Sequence, residues 1–304
     1  MVTPHKLVLD GVARLIRGPH SDRALEDAEE LVLQVFQKDK AWLLAYWEDE
    51  FPDDHTLHYL ELVERRYNGE PLQYIAGQTE FYGLPFFVTP DVLIPRPETE
   101  HLVEKVIELA ASLQSTRIVD IGAGSGAIAV ALAHALKGHD FSRAAEAQKT
   151  SGALAPEGRS STTITAIDFS APALAIARKN AARNKATIRF LQGDLLTPVA
   201  NEKFEIVVSN PPYVPEPDRP TLSVEVRDHE PALALFAGPD GLDIYRRLIP
   251  QAFACLVPGG FLVLEIGYNQ SPAIADHLAA NGFQNIEFLP DLQSIPRVAV
   301  ARRP

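Results

Sequence analysis

Four residues, Asn210-Pro211-Pro212-Tyr213, combine types that together could hold and align an amino group. Two consecutive prolines donate no N–H and hold φ at about −65°, so the loop is stiff and its carbonyls act only as hydrogen-bond acceptors. Asn210 adds a side-chain carbonyl and Tyr213 a flat ring. An NH2 attached to a planar group matches this set. Its two N–H bonds would donate to Asn210 and to the carbonyl of Pro211, while the ring covers the face of the group. Such a nitrogen is a weak nucleophile because its lone pair is delocalised. Rate must then come from aligning it with an electrophilic methyl group, from excluding water, and from acceptors that favour charge developing on nitrogen. No separate base is needed before attack. Standing alone, the same residues would be a diproline turn closing a strand.

A glycine loop upstream supplies the missing half. Val119-Asp120-Ile121-Gly122-Ala123-Gly124-Ser125-Gly126-Ala127 follows an apolar strand pattern and opens a helix bearing Ile128, Leu132 and Leu136. Glycines let the backbone turn sharply and approach a ligand, and a helix start offers unpaired N–H groups. Ala127 also completes the looser pattern G-x-G-x-x-A, so a nicotinamide or flavin dinucleotide stands beside S-adenosylmethionine as a candidate. Asp168, in Ile167-Asp168-Phe169-Ser170 at the end of the next strand, can accept both ribose hydroxyls of an adenosine-containing cofactor. The competing reading makes Asp168 or Ser170 the cap of a helix beginning at Ala171. Gly193-Asp194-Leu195 follows a third strand and either packs at an adenine edge or simply turns the chain.

Elements able to position these residues can be read from hydrophobic spacing. Residues 1–69 carry helical faces: Val8, Val12, Leu15 and Ile16; then Ala24, Ala28, Leu31, Val32, Val35 and Phe36; then Leu60, Val63 and Tyr67, stopped by Gly69. Residues 79–88 flank Gly83 as in a hairpin, and the prolines of residues 93–100 fix the backbone before a helix bearing Leu102, Val103, Val106 and Ile107. From Arg117 the pattern alternates, with strands expected at 118–121, 164–167, 188–191, 204–208 and 261–266 and helical runs between most of them. Buried apolar strands separated by helices indicate an α/β fold, a doubly wound and mostly parallel sheet. Residues 137–163 hold no Ile, Val, Trp or Tyr and are expected to form a flexible insertion. That insertion also accounts for Asp168 lying 42 residues beyond Gly126, where about 20 is usual. The expected division is a helical domain at 1–78, a hairpin and Pro-rich linker at 79–97, and a catalytic domain at 98–304.

Composition narrows the function classes. The chain has 304 residues, 46% hydrophobic and 22% charged, with a formal net charge of −12. Residues 1–90 hold 8 Lys/Arg against 16 Asp/Glu, a net of −8. Such a charge opposes nonspecific binding to a nucleic-acid backbone or an anionic lipid surface. The single cysteine, Cys255, excludes an intramolecular disulfide and a cysteine-rich zinc cluster, and reads as a buried hydrophobe late in a helix. The nine histidines show no metal-ligand spacing. No stretch approaches the ~20 apolar residues of a membrane span, and a cytoplasmic protein without membrane partner or metal is expected.

Asn-Pro-Pro-Tyr after the fourth strand resembles the signature of amino-methyltransferases that use S-adenosylmethionine on adenine, cytosine or glutamine nitrogens. Further motifs narrow the likeness: Arg65-Arg66, Gly69-Glu70-Pro71-Leu72-Gln73-Tyr74-Ile75-Ala76-Gly77, Glu80-Phe81-Tyr82-Gly83-Leu84 and Val92-Leu93-Ile94-Pro95-Arg96-Pro97-Glu98-Thr99-Glu100. Glu230-Pro231-Ala232-Leu233, Gly238-Pro239-Asp240-Gly241-Leu242, Leu264-Glu265-Ile266-Gly267 and Ile295-Pro296-Arg297 continue it. From about residue 60 onward the chain is similar to the peptide chain release factor N5-glutamine methyltransferases, a family of class I S-adenosylmethionine-dependent enzymes.

The resemblance implies a seven-stranded Rossmann-like sheet, a small N-terminal helical bundle that helps dock a protein substrate, and a hairpin linker. It implies that a class 1 release factor is methylated on the glutamine of its Gly-Gly-Gln loop, with S-adenosylhomocysteine as product. Carried over by position, Gly122, Ala123, Gly124, Ser125 and Gly126 bind the cofactor, Asp168 takes the ribose hydroxyls, and Leu195 lies against the adenine. Asn210 bridges cofactor and substrate, and Asn210, Pro211, Pro212 and Tyr213 hold the amide, with Asn210, Pro211 and Tyr213 catalytic. A monomer that contacts no nucleic acid directly is expected. Arg96 and Glu100, beside the Pro-rich hinge, are expected to serve an interdomain ion pair that fixes domain orientation, ahead of a ligand contact. The leading alternative is an N6-adenine methyltransferase acting on DNA or RNA, disfavoured by the acidity. An NAD oxidoreductase would leave Asn-Pro-Pro-Tyr without a role, and a noncatalytic scaffold would have no use for it.

Overall fold

A computed structural model of the chain describes residues 1–113, 115–137, 162–291 and 293–304. The insertion expected at 137–163 falls almost wholly outside the described residues. The chain forms two compact units, Met1–Gln78 with Pro220–Glu230, and Thr79–Arg219 with Pro231–Pro304.

The first unit is helical: α1 (Pro4–Leu15), α2 (Ala24–Phe36), α3 (Lys40–Ala45), α4 (Thr56–Tyr67) and α5 (Leu72–Ala76). Thr3 caps α1 by accepting the Lys6 N–H at 3.1 Å, with Pro4 as first residue, and Asp39 caps α3 by accepting from Trp42 at 2.9 Å. Leu7, Val8, Leu31, Val32, Leu62 and Val63 close its core around Tyr59. At Gly11 a Cβ would sit 2.0 Å from the Tyr59 hydroxyl, so glycine permits the close crossing of α1 and α4. Ile16 and Leu60, expected on the apolar faces, are exposed, and Leu7 and Leu62 fill those places instead. Arg66 is the largest side chain buried here: its Nε donates to Asp27 at 2.5 Å, and its Nη1 donates to Glu225 and to the carbonyl of Glu70. Glu225 lies on a short helix, Val224–His229, so Arg66 ties this returning segment to α2 and α4.

The second unit opens with a hairpin, β1 (Gln78–Phe81) and β2 (Leu84–Phe87), turning at Tyr82 and Gly83 with φ of 54° and 69°. Two positive φ values match the twist of flanking strands, which is why the second turn residue is glycine. There follow α6 (Thr99–Ala111), β3 (Thr116–Ile121), α7 (Ala127–Lys137), β4 (Thr162–Asp168), α8 (Ala171–Arg183), β5 (Arg189–Gln192), β6 (Phe204–Ser209), α9 (Asp243–Cys255), β7 (Leu256–Glu265), α10 (Ser271–Ala280), β8 (Gln284–Pro290) and β9 (Pro296–Arg302).

Seven strands form one sheet in the order β5-β4-β3-β6-β7-β9-β8, parallel except for β9, which is antiparallel to both neighbours. Alternate residues of the central strands serve opposite faces. Ile118, Ile206, Val208 and Val263 pack with Leu102, Val106, Val130 and Leu132 of α6 and α7. Val119, Val207, Leu262 and Leu264 pack with Tyr245, Leu248, Ile274 and Leu278 of α9 and α10. Strands buried on both faces carry continuous apolar runs such as Ile206-Val207-Val208 and Leu262-Val263-Leu264, because neither side of the strand meets water. Cys255 is buried at the end of α9.

Candidate functional site

The parallel register brings the strand ends to one edge. Ile121 of β3 lies beside Ile167 of β4 and Ser209 of β6, Asp168 beside Gln192 of β5, and Ser209 beside Leu264 of β7. Strand order reverses between β3 and β6, and the loops leaving these ends flank the crevice where ligands of doubly wound sheets sit.

Two backbone bonds pin the start of the glycine loop: Gly122 and Ala123 both donate to the carbonyl of Ile167, at 2.9 and 3.0 Å. Gly122, Gly124 and Gly126 take φ of 75°, 53° and 80°, a region costly for any residue with a Cβ. A Cβ at Gly126 would also come within 3.1 Å of Ala177, so that glycine lets the loop pack against α8. At Gly122 and Gly124 a Cβ would meet nothing closer than 3.9 Å, so space over the loop is open. Ser125 is buried, its carbonyl held at 2.9 Å by Nδ2 of the fully buried Asn180, which also exchanges bonds with the N–H and carbonyl of Phe87 in β2.

Asp168 and Ser170 divide the two roles that sequence left in competition. Ser170 caps α8, its Oγ accepting from Ala173 at 3.2 Å. Asp168 accepts from Gly124 and Ser170 N–H groups, each at 2.8 Å, which ties it to the glycine loop. Burial pushes its pKa up and the backbone donors around it oppose that shift. Gly193 donates to the Asp168 carbonyl at 3.0 Å, and Leu195 follows, half-buried with φ 51°.

The Asn210–Tyr213 loop leaves β6 on the other side of the glycine loop. Buried Ser209 donates to the carbonyl of Ile121 at 2.6 Å, joining the two strand ends. Asn210 Nδ2 donates to Thr99 Oγ1 at 3.1 Å, and Thr99 Oγ1 donates to Glu265 Oε2 at 2.6 Å. The Tyr213 hydroxyl donates to Glu265 Oε1 at 3.4 Å, while the Tyr245 hydroxyl donates to the Glu265 main-chain carbonyl at 2.7 Å. Gln270 donates to the Tyr213 carbonyl at 3.0 Å. Pro211 is buried, and among the described residues no backbone hydrogen bond takes the carbonyl of Pro211 or Pro212. Burial raises the Glu265 carboxyl to about 7, opposed first by the Thr99 hydroxyl. The Tyr213 phenol is likewise pushed up by burial and by Glu265. Asp120, fully buried in β3, is also raised to about 7, by burial and then by the charge of Asp168.

A family model described as the PrmC N-terminal domain matches residues 8–77, and one described as the methyltransferase small domain matches residues 149–224. The release factor glutamine methyltransferase of Koribacter versatilis is 41% identical over 300 residues, covering 98% of each chain. That of Moorella thermoacetica is 40% identical over 297 residues, 97% of this chain and 96% of its own. The chain belongs to the release factor glutamine methyltransferase family. Its fold is shared more widely. The hMettl16 catalytic domain, solved with a 3′UTR hairpin, aligns with a TM-score of 0.54 at 16% identity, over 87% of this chain and 92% of that one. A T. Thermophilus 16S rRNA methyltransferase solved with AdoMet and guanosine aligns with a TM-score of 0.50 at 18% identity, over 75% and 50%.

The sheet edge therefore brings together Gly122 to Gly126, Asp168, Leu195 and Asn210 to Tyr213, the residues picked from sequence. Glu100 accepts the Tyr82 N–H of the hairpin at 2.8 Å, and the charge of Arg96 is among those opposing the rise of the Tyr213 pKa. Sequence reading assigned no role to Thr99, Glu265, Tyr245, Gln270 or Asn180. One signal was present for Glu265: a carboxylate closing the apolar run Leu262-Val263-Leu264 must be buried and therefore partnered.

Proposed function

We propose that the protein transfers a methyl group from S-adenosylmethionine to the side-chain amide nitrogen (N5) of the glutamine in the Gly-Gly-Gln loop of class 1 peptide chain release factors, leaving S-adenosylhomocysteine. The residues present fit the cofactor. The glycine loop is open over Gly122 and Gly124, and a carboxylate stands beside it on Asp168. Gly122, Ala123, Gly124, Ser125 and Gly126 would hold the amino-acid and ribose portion, Asp168 the ribose hydroxyls, Leu195 the adenine, and Asn210 would border both ligands. When bound, this group supplies an electrophilic methyl on a sulfonium.

The chain's own residues do the rest. Asn210 Oδ1 and the carbonyl of Pro211 accept the two N–H bonds of the glutamine amide, so its nitrogen is fixed in position and its lone pair faces the cofactor side. As the N–C bond forms, positive charge grows on that nitrogen and the same acceptors stabilise it before the extra proton is lost. Tyr213 covers the flat face of the amide and excludes water, and Pro212 keeps the loop from relaxing.

The single observation carrying this reading is the pairing of Asn210 through Nδ2, which leaves its acceptor oxygen for a ligand at the edge shared with the glycine loop. All these groups come from one chain, so a monomer suffices. The reaction belongs in the cytoplasm with translation, and no helix among the described residues is long and apolar enough to cross a membrane. The test offers labelled S-adenosylmethionine with three acceptors: a release factor, its loop Gln→Ala variant, and duplex DNA. Label in the release factor alone is expected. Label in DNA, or equal label in both release factors, would overturn the proposal.

A further inference from the structure

We propose that Thr99 and Glu265 are positioning residues: through one hydroxyl proton they fix the Asn210 amide with its carbonyl oxygen turned toward the substrate. The inference deepens the methyltransferase reading above and rests on it for the identity of that substrate.

A threonine hydroxyl has one proton to give, and an ionised carboxylate can only accept. Thr99, 4% exposed at the start of α6, gives its proton to Glu265, 2% exposed at the end of β7, at 2.6 Å. That length belongs to a charge-assisted O–H···O⁻ bond. With the proton committed, Thr99 Oγ1 offers only lone pairs, so the group facing it at 3.1 Å must be a donor. Asn210 has to present its NH2 there, and its Oδ1 is left unbonded among the described residues. A flipped amide would lose this bond and set an NH2 against the NH2 of the incoming glutamine, a donor against a donor.

The same carboxylate reaches the other polar side chain of the loop, since its second oxygen accepts from the Tyr213 hydroxyl. Tyr245 anchors Glu265 in turn through its main-chain carbonyl. No cation lies within ion-pair distance of Glu265 among the described residues. A buried carboxylate without such a partner is a costly choice for packing alone.

Three variants at pH 8, above the raised pKa of Glu265, decide it. Thr99→Val keeps the shape and removes the hydroxyl; kcat on the release factor falls roughly 10–100-fold, the scale of a displaced reacting group. S-adenosylmethionine affinity by calorimetry and melting temperature hold, and Thr99→Ser restores most of the rate. Glu265→Gln lowers kcat in the same direction. An activity-independent readout accompanies these: in asparagine-labelled protein the Asn210 side-chain NH2 resonances, identified by their loss in Asn210→Ala, shift in Thr99→Val and return in Thr99→Ser. Wild-type turnover in Thr99→Val or in folded Glu265→Gln, a serine variant as slow as valine, or unmoved Asn210 resonances would overturn the inference. If the wild type itself labels no release factor, the functional reading fails, and the resonance shift alone then decides the positioning role.

Discussion

The two units bury charge in opposite ways. In the first, Asp27 and Arg66 are each 1% exposed and bonded at 2.5 Å, with Glu225 on the other side of the guanidinium. In the second, Asp120 and Glu265 are as deeply buried, but neither has a cation within ion-pair distance among the described residues, and burial raises both to about 7. A paired buried charge holds one geometry, its desolvation offset by its partner, and becomes strongly destabilising when that partner is removed. An unpaired buried acid costs stability whenever it ionises, so its place in the fold calls for a reason. For Glu265 that reason lies in the hydroxyls of Thr99 and Tyr213. The comparison separates charges that hold a unit together from charges that aim a site.

The largest effect should follow from breaking the paired case. Arg66→Ala leaves buried Asp27 with only the half-exposed Arg23 at 3.8 Å as a partner and should cost roughly 3–5 kcal/mol in denaturant unfolding. Arg66→Met with Asp27→Leu removes both charges and should recover most of that loss. A double variant as unstable as the single one would mean that packing, not charge, is at stake.

The unpaired case should show itself in pH. Between the ordinary carboxylate range and about 7, folded Asp120 keeps a proton that the unfolded chain releases, so its contribution is complete at low pH and is lost as pH rises through 7. Asp120→Asn should flatten that decline and raise stability at pH 8 by about 2–4 kcal/mol, with chemical denaturation at pH 5 and pH 8 as the check. An equal pH slope in both proteins would contradict the account.

A neutral buried residue should give a smaller effect. Asn180→Ala orphans the Phe87 N–H and two carbonyls and should cost about 1–3 kcal/mol. It should also weaken S-adenosylmethionine binding in calorimetry, because the Ser125 carbonyl loses its donor.

What could be read beforehand was what is local. The strands buried on both faces announce themselves as short apolar runs, and glycines at positive φ mark the loop after β3. Asn210 to Tyr213 carry their acceptors in four consecutive residues. The edge strand β8 has no such signature: Gln284-Asn285-Ile286-Glu287 mixes polar and apolar residues and none of β8 is fully buried, while β9, paired on both sides, buries Val298 to Ala301, a run of only four small or branched residues. The Thr99–Glu265 bond joins residues 166 apart, across the meeting of a helix start and a strand end, and no spacing rule reaches that far. The same holds for Arg66, whose partner Glu225 is 159 residues away. Ile16 misled because it stands at the C-cap of α1, where the helical face no longer points inward.

The central claim is that Asn210 pins a carboxamide beside the glycine loop, and Asn210→Ala tests it most directly. Turnover on the release factor should fall about 10²–10³-fold, the scale of one lost preorganised hydrogen bond at a reacting centre, while S-adenosylmethionine binding measured by calorimetry changes far less. An alanine variant that methylates the release factor at the wild-type rate would contradict the account.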